Sequence, residues 1–232
     1  MPTVAVILPA AGASTRFGRN KLLEPLGGVS VLVRAMMPFT QATQSFTLEG
    51  FYIATSSVTH AHLAGSEALN AIRTPIRFLD GGATRAQSVL NALTQIPAHV
   101  DFVAIHDAAR PLVSVPLIER LYAHALSYGS AIPALPVKLT IKQASGPLPA
   151  RVQRTIPRHT LWEMQTPQVI RRADLIAAYE RRPIPFEQIT DDAQLLEIAG
   201  MEAWLVEGDE SNLKLTTPQD MALAEQLLRQ NA

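Results

Sequence analysis

A run of five apolar residues, Val4 to Leu8, stops at Pro9 and gives way to a loop of small residues around Gly12. Strand, loop and helix signals then alternate down the chain, and this alternation limits the fold more than any other feature. A continuous apolar run of strand length suits a central strand of a parallel sheet, covered on both faces. Ser30 can cap a helix through about Thr43, and Phe51 to Ala54 is the next strand candidate. A helix is expected from about Thr59 to Ile72, then a short strand from Ile76 to Leu79. Thr84 can cap a helix with Val89, Leu90, Leu93 and Ile96 on one face. Phe102 to Ile105 reads as another buried strand, and Ser114 can cap a helix whose apolar stripe is Leu117, Ile118, Leu121 and Leu126. Thr217 and Pro218 combine an N-cap with proline at the first helical position, opening a helix to about Arg229.

Repetition of this kind predicts an α/β sheet with right-handed crossovers and helices on both faces. Ligands on such sheets bind beyond the carboxyl ends of the strands. Three unusual loops follow strands, after Leu8, Leu79 and Ile105, so all three should open onto one edge. One stretch departs from the rhythm. Val137 to Ile156 alternates apolar and polar residues around Ser145-Gly146-Pro147, and it reads as a projecting hairpin. A lone hairpin is marginally stable, so it should pack on something, a second subunit being the expected partner and a fold back onto its own domain the alternative. The chain reads as one domain, residues 1–232, carrying a β-arm at about 137–158.

Composition removes several functions. Of 232 residues, 47% are hydrophobic and 17% charged, which supplies a packed core and argues against disorder. Twenty basic residues balance twenty acidic ones, whereas bulk nucleic-acid binding needs a clustered basic excess. With no cysteine, a disulfide scaffold, a thiol nucleophile and a thiolate metal site are excluded. The first residues lack a basic segment, and no apolar run approaches the roughly 18 residues of a membrane span, so a soluble, cytoplasmic protein is expected. There are sixteen arginines but only four lysines, Lys21, Lys138, Lys142 and Lys214, which gives each lysine's position weight.

The loops themselves suggest phosphate chemistry. The first, Pro9-Ala10-Ala11-Gly12-Ala13-Ser14-Thr15-Arg16, is neither a P-loop nor a dinucleotide fingerprint. Its small residues still let backbone N–H groups approach a phosphate, and Arg16, Arg19 and Lys21 add positive charge. The second, Gly81-Gly82-Ala83-Thr84, leads into a helix N-terminus suited to a base or ribose. The third, His106-Asp107-Ala108-Ala109-Arg110-Pro111, ends a strand in an Asp fit for Mg²⁺, with an Arg able to grip a phosphate. His106 reads as a structural hydrogen-bonding group. Lys214 lies just before the last capped helix, where a phosphate contact is plausible.

Pro9-Ala10-Ala11-Gly12 with Arg16 and Lys21 resembles the nucleotide loop of the sugar-phosphate nucleotidyltransferases. His106 to Pro111, Thr166-Pro167-Gln168, Thr190-Asp191-Asp192 and Asn212 to Pro218 narrow the resemblance to the 2-C-methyl-D-erythritol 4-phosphate cytidylyltransferase family, from about Val4 to Leu228. That resemblance implies a three-layer, Rossmann-like, mostly parallel sheet with a β-hairpin dimerisation arm. It implies transfer of CMP from CTP to the methylerythritol phosphate, with Mg²⁺, in a homodimer. Gly12, Ala13, Ser14 and Arg16 would wrap the CTP phosphates. Arg16 and Lys21 would stabilise charge at the α-phosphate, with Lys214 opposite. Gly82, Ala83 and Ser88 would read the cytosine, and Pro9, Ala10, Ala11 and Ala108 would line the nucleotide pocket. Asp107 would face the metal and the substrate hydroxyls, supported by Arg110. Thr140 and Arg158 would reach from the arm to the acceptor bound by the partner subunit. The chain departs from many relatives at Ala83, where an acidic contact to the nucleotide is lost. The nucleotide motifs alone also suit a cytidylyltransferase for another polyol phosphate, such as ribitol 5-phosphate. A non-catalytic nucleotide-binding protein is disfavoured, because Arg16, Lys21, Asp107 and Lys214 are all present.

Overall fold

The structure, a computed structural model, describes residues 1–12 and 17–230. The first strand, β1 (Thr3–Pro9), lies in the middle of an eight-stranded sheet. A two-stranded ribbon follows, β2 (Pro25–Leu26) and β3 (Val29–Ser30), and feeds α1 (Val31–Gln41), capped by Ser30 as expected. β4 (Thr47–Thr55) and β5 (Ile76–Asp80) extend the sheet in parallel beyond β1, separated by α2 (Ser57–Ala64) and α3 (Glu67–Asn70). The single helix expected from Thr59 to Ile72 is thus two. It stops at Gly65, and Ser66 restarts it by accepting a hydrogen bond from the Leu69 N–H. α4 (Arg85–Leu93), capped by Thr84, leads to β6 (Phe102–Ile105), which pairs in parallel with β1 on its other side.

The second half turns the sheet into a mixed one. α5 (Val115–Tyr128) ends at Gly129 in a left-handed conformation, φ +83, and β7 (Ser130–Pro136) follows. The arm comes next: β8 (Ile141–Ala144) and β9 (Val152–Ile156) pair antiparallel as a separate two-stranded ribbon. Its base is the antiparallel pairing of β7 with β10 (Trp162–Met164), continued by the Val137 N–H donating to the Leu161 carbonyl at 3.1 Å. β11 (Gln168–Arg171) runs antiparallel between β6 and β7. α6 (Arg172–Arg181), α7 (Asp192–Ile198), β12 (Leu205–Glu207) on the outer side of β7, and α8 (Pro218–Gln230) complete the fold.

β1 shows why its sequence is continuously apolar. Val4, Val6 and Leu8 belong to the core that holds α1 and α5, while Ala5 and Ile7 belong to the core that holds α4, α6 and α7. All five are 0% exposed. In α5 the buried stripe is Leu117, Ile118, Leu121, Tyr122 and Ala125. Leu126, expected in that stripe, is 41% exposed, because it lies five residues past Leu121 and so some 140° around the helix. The arm packs little of its surface against the chain: Leu139 is 77% and Leu148 88% exposed.

Candidate active site

The loops after β1, β5 and β6 do converge on one edge, and short contacts lock them together. The Ala10 N–H donates to the Ala54 carbonyl at 2.7 Å, and the Thr55 hydroxyl donates to the Ala10 carbonyl at 3.2 Å. The Gly81 N–H in turn reaches the Thr55 carbonyl at 3.1 Å. At Gly81 a Cβ would sit 2.1 Å from the Cβ of Ala11, so glycine is what lets the first two loops touch. Gly82 is equally crowded, with an added Cβ 2.1 Å from Gln87 Cγ. The Ser88 hydroxyl then fastens the double-glycine turn, accepting from the Gly82 N–H and donating to the Thr84 carbonyl, both at 2.9 Å.

The third loop is held from two sides. The Arg110 N–H closes a turn onto the Asp107 carbonyl, and the Leu215 N–H donates to the Ala109 carbonyl at 2.8 Å. That second bond sets Lys214 beside Asp107. His106 is wholly buried, and burial pushes its pKa down to about 4, so the ring is neutral. Its Nε2 faces the Arg110 carbonyl at 3.0 Å, which only accepts, so the proton sits on Nε2. Nδ1 therefore accepts from the Thr166 hydroxyl, and the same oxygen accepts from the Asp107 N–H at 3.0 Å. The structural role expected for His106 is what its contacts describe.

Asp107 is the electrostatic centre. One carboxylate oxygen accepts from Arg85 Nε at 3.0 Å, the other from Lys214 Nζ at 2.7 Å. Burial alone would raise its pKa; the Arg85 and Lys214 charges outweigh burial and hold it well below the usual carboxylate range. Arg85 also reaches Asp192 through Nη1 at 2.8 Å. Burial would lower the Arg85 pKa, but its two carboxylate partners raise it further still. Sequence reasoning assigned no role to Arg85, and it expected Arg110 to support Asp107. The Arg110 guanidinium donates to the carbonyls of Asn212, at 2.6 Å, and Met164, and from there its charge adds to those that lower the Asp107 pKa.

Two adjoining cavities open at this edge. The first, about 330 Å³, is lined by Pro9, Ala10, Ala11, Gly12, Lys21, Gly82, Ala83, Ser88, Asp107, Ala108 and Lys214, all expected there. Phe17, Leu22, Thr84, Arg85, Ala109 and Thr216 complete its wall. The second, also about 330 Å³, is lined by Arg110, Met164, Gln165, Thr166, Gln168, Thr190 and Asp191. Arg85, Asp107 and Lys214 line both and form the wall between them. Ala13, Ser14 and Arg16 lie outside the described residues. Thr140 and Arg158 are exposed on the arm and line neither cavity; an Arg158 N–H donates to the Lys138 carbonyl at the arm's base. The described residues hold no group of three His, Cys, Asp or Glu side chains able to grip a metal. Asp107 remains a fitting single ligand, because each of its oxygens has one further lone pair. No described helix is long and apolar enough to cross a membrane.

The model for the family "2-C-methyl-D-erythritol 4-phosphate cytidylyltransferase" (IspD) matches residues 4–230. The chain is 37% identical to the "Bifunctional enzyme IspD/IspF" of Desulfotalea psychrophila, over 99% of this chain and 58% of that longer protein. It is 39% identical to a 2-C-methyl-D-erythritol 4-phosphate cytidylyltransferase of a Synechococcus species, covering 97% and 96% of the two chains. Among solved structures, the cytidylyltransferase of that name from Thermus thermophilus matches with a TM-score of 0.76 at 33% identity, covering 99% of this chain and all of the other.

Proposed function

The chain belongs to the 2-C-methyl-D-erythritol 4-phosphate cytidylyltransferase family, and from that premise we propose how its two cavities divide the reaction. The protein is a cytidylyltransferase: CMP passes from CTP to 2-C-methyl-D-erythritol 4-phosphate, giving the diphosphocytidyl product and pyrophosphate. The first cavity takes CTP. Ser88 offers its remaining lone pair to the cytosine amino group, and the backbone of Gly82 and Ala83 meets the pyrimidine edge. The first loop, with Gly12, Ala13, Ser14 and Arg16, wraps the phosphates. The second cavity takes the acceptor, with Arg110 and Asp107 facing it. The carrying observation is the shared wall, which sets two cations, Arg85 and Lys214, where the two anions must meet.

The acceptor phosphate is largely dianionic at neutral pH, its second pKa being about 6. One of its oxygens forms a bond to the α-phosphorus, the bond from that phosphorus to the β-phosphate bridging oxygen breaks, and pyrophosphate leaves with the electron pair. No proton need be removed, so no general base is needed. Arg16, Lys21 and Lys214 hold the two anions in reach and neutralise charge as it moves to the leaving group. A divalent cation, Mg²⁺ in this reading, would be held by Asp107 and would add neutralising charge beside the phosphates. Thr140 and Arg158 act in trans: each arm reaches the partner's acceptor cavity in a homodimer, in the cytoplasm. Their exposure on the arm, outside both cavities of their own chain, supports that assignment.

Pyrophosphate release by purified protein, with CTP and Mg²⁺, tests the reading. Release is expected with 2-C-methyl-D-erythritol 4-phosphate and not at comparable rate with ribitol 5-phosphate. Equal or faster turnover of the ribitol ester would reassign the acceptor.

A further inference from the structure

Behind the wall between the cavities lies a carboxylate that neither cavity touches. Asp192 is 0% exposed at the start of α7. Its backbone is pinned, since Gln168 Oε1 accepts from the N–H groups of both Asp192 and Ala193 at 3.0 Å, while Gln168 Nε2 donates to Asp191 at 2.9 Å. Its side chain takes Arg85 Nη1 at 2.8 Å, and Arg85 Nε takes Asp107. Tyr179, whose hydroxyl donates to the Ala86 carbonyl at 3.1 Å, closes over the carboxylate.

We propose that Asp192 is a positioning residue: acting through Arg85, it fixes the Asp107 carboxylate at the wall between the nucleotide and acceptor cavities. A guanidinium is planar, with N–H groups in fixed directions. Anchoring Arg85 to an immovable carboxylate on one side therefore sets where its other edge holds Asp107. Burying a second carboxylate beside the first is a poor route to stability, because desolvation offsets the attraction. What the pair supplies is geometry. Without Asp192, Arg85 has one buried partner and is free to swing with Asp107 or with an incoming phosphate.

Charge and geometry make opposite forecasts, which allows a decision. Asp192→Asn removes one negative charge near two anion sites. If charge alone mattered, both KM values would fall and kcat would hold. Positioning instead requires kcat/KM for the polyol phosphate to fall, by about tenfold for a contact acting at one remove. The inference rests on the role given to Asp107 above, so the experiment carries Asp107→Ala as a second background. Steady-state rates and melting temperatures are measured for Asp192→Asn, Arg85→Lys, which keeps the charge but not the fork, and their combination, in both backgrounds. The expected result is that the combination is no slower than the slower single variant, and that Asp192→Asn, which touches neither cavity, has less than about a twofold effect once Asp107 is gone. Multiplying effects, or lowered KM values with unchanged kcat, would overturn the proposal. If Asp107→Ala itself turns over normally, the assignment of Asp107 fails instead. Should Asp192→Asn not fold, Asp192→Glu, which keeps the charge and displaces the anchor by one methylene, is expected to lower kcat/KM for the polyol phosphate in the parent and not in the Asp107→Ala background, and an equal loss in both would overturn the proposal.

Discussion

His106 should make this protein lose stability on mild acidification, and the size of the loss follows from its surroundings. The ring is enclosed: Phe39 meets it edge-on at 5.3 Å, and both ring nitrogens are engaged within the fold. A second ring proton would have to sit on Nδ1, where the Thr166 hydroxyl now donates. Burial accordingly holds the folded pKa at about 4, against about 6.5 in an unfolded chain. The folded value is the lower one. Below about pH 6.5 the unfolded chain therefore binds a proton that the folded chain refuses, and stability falls as pH drops through the window down to about 4. Between pH 7 and pH 5 the loss from this one residue is about 2 kcal/mol. For a chain of this size that lowers the melting temperature by roughly 4–8 °C. The assay is calorimetric or fluorescence melting at pH 7 and pH 5, for the parent and His106→Gln. The Gln amide can still donate to the Arg110 carbonyl but takes up no proton. The variant will start less stable, and only the change with pH is compared, since every carboxylate contributes equally to both. An equal shift in parent and variant would refute the reasoning.

Removing either lysine of the first cavity, Lys21→Ala or Lys214→Ala, should cut turnover by ~10²–10³ if both hold phosphates as proposed, with the melting temperature little changed, a pairing that near-parent rates would contradict. Gly81→Ala should push the first loop off the second, because the new methyl meets the Ala11 methyl 2.1 Å away. A CTP titration should then show weakened nucleotide binding, and unchanged affinity would mean the loops do not move together. Arg158→Ala should raise KM for the polyol phosphate far more than for CTP. Mixing its subunits with Lys214→Ala subunits should restore part of the activity, and a fully active monomer in sedimentation would remove the shared site.

The parts of this fold that were legible in sequence are those where one physical demand acts alone. β1 is buried on both faces, so its apolar run is unbroken. Caps at Ser30, Thr84 and Ser114 announced helices, and each cap bond is present. β7 was not legible, because Pro133 and Pro136 speak against an interior strand. It is nonetheless flanked, since the Pro133 carbonyl accepts from the Gln165 N–H at 2.7 Å and β12 pairs on the other side. β10 and β12 span three residues each, too few to show a period. In the site, the small-residue loops stood out because close backbone approach restricts residue type. The Arg85 to Asp192 bond did not, because 107 residues separate its ends and neither residue type is unusual in its own surroundings. Thr190-Asp191-Asp192 drew notice only through its likeness to the family.

The wall of Arg85, Asp107 and Lys214 belongs to both cavities, so on the proposed division of the substrates their affinities are coupled. An anion settling on one side draws on the same two cations, Arg85 and Lys214, that line the other. Thermodynamics makes the exchange symmetrical: the factor by which CTP alters the acceptor's dissociation constant is the factor by which the acceptor alters that of CTP. Order of arrival is then a question of rates alone, and a molecule lodged in either cavity is felt, at equal strength, by the occupant of the other.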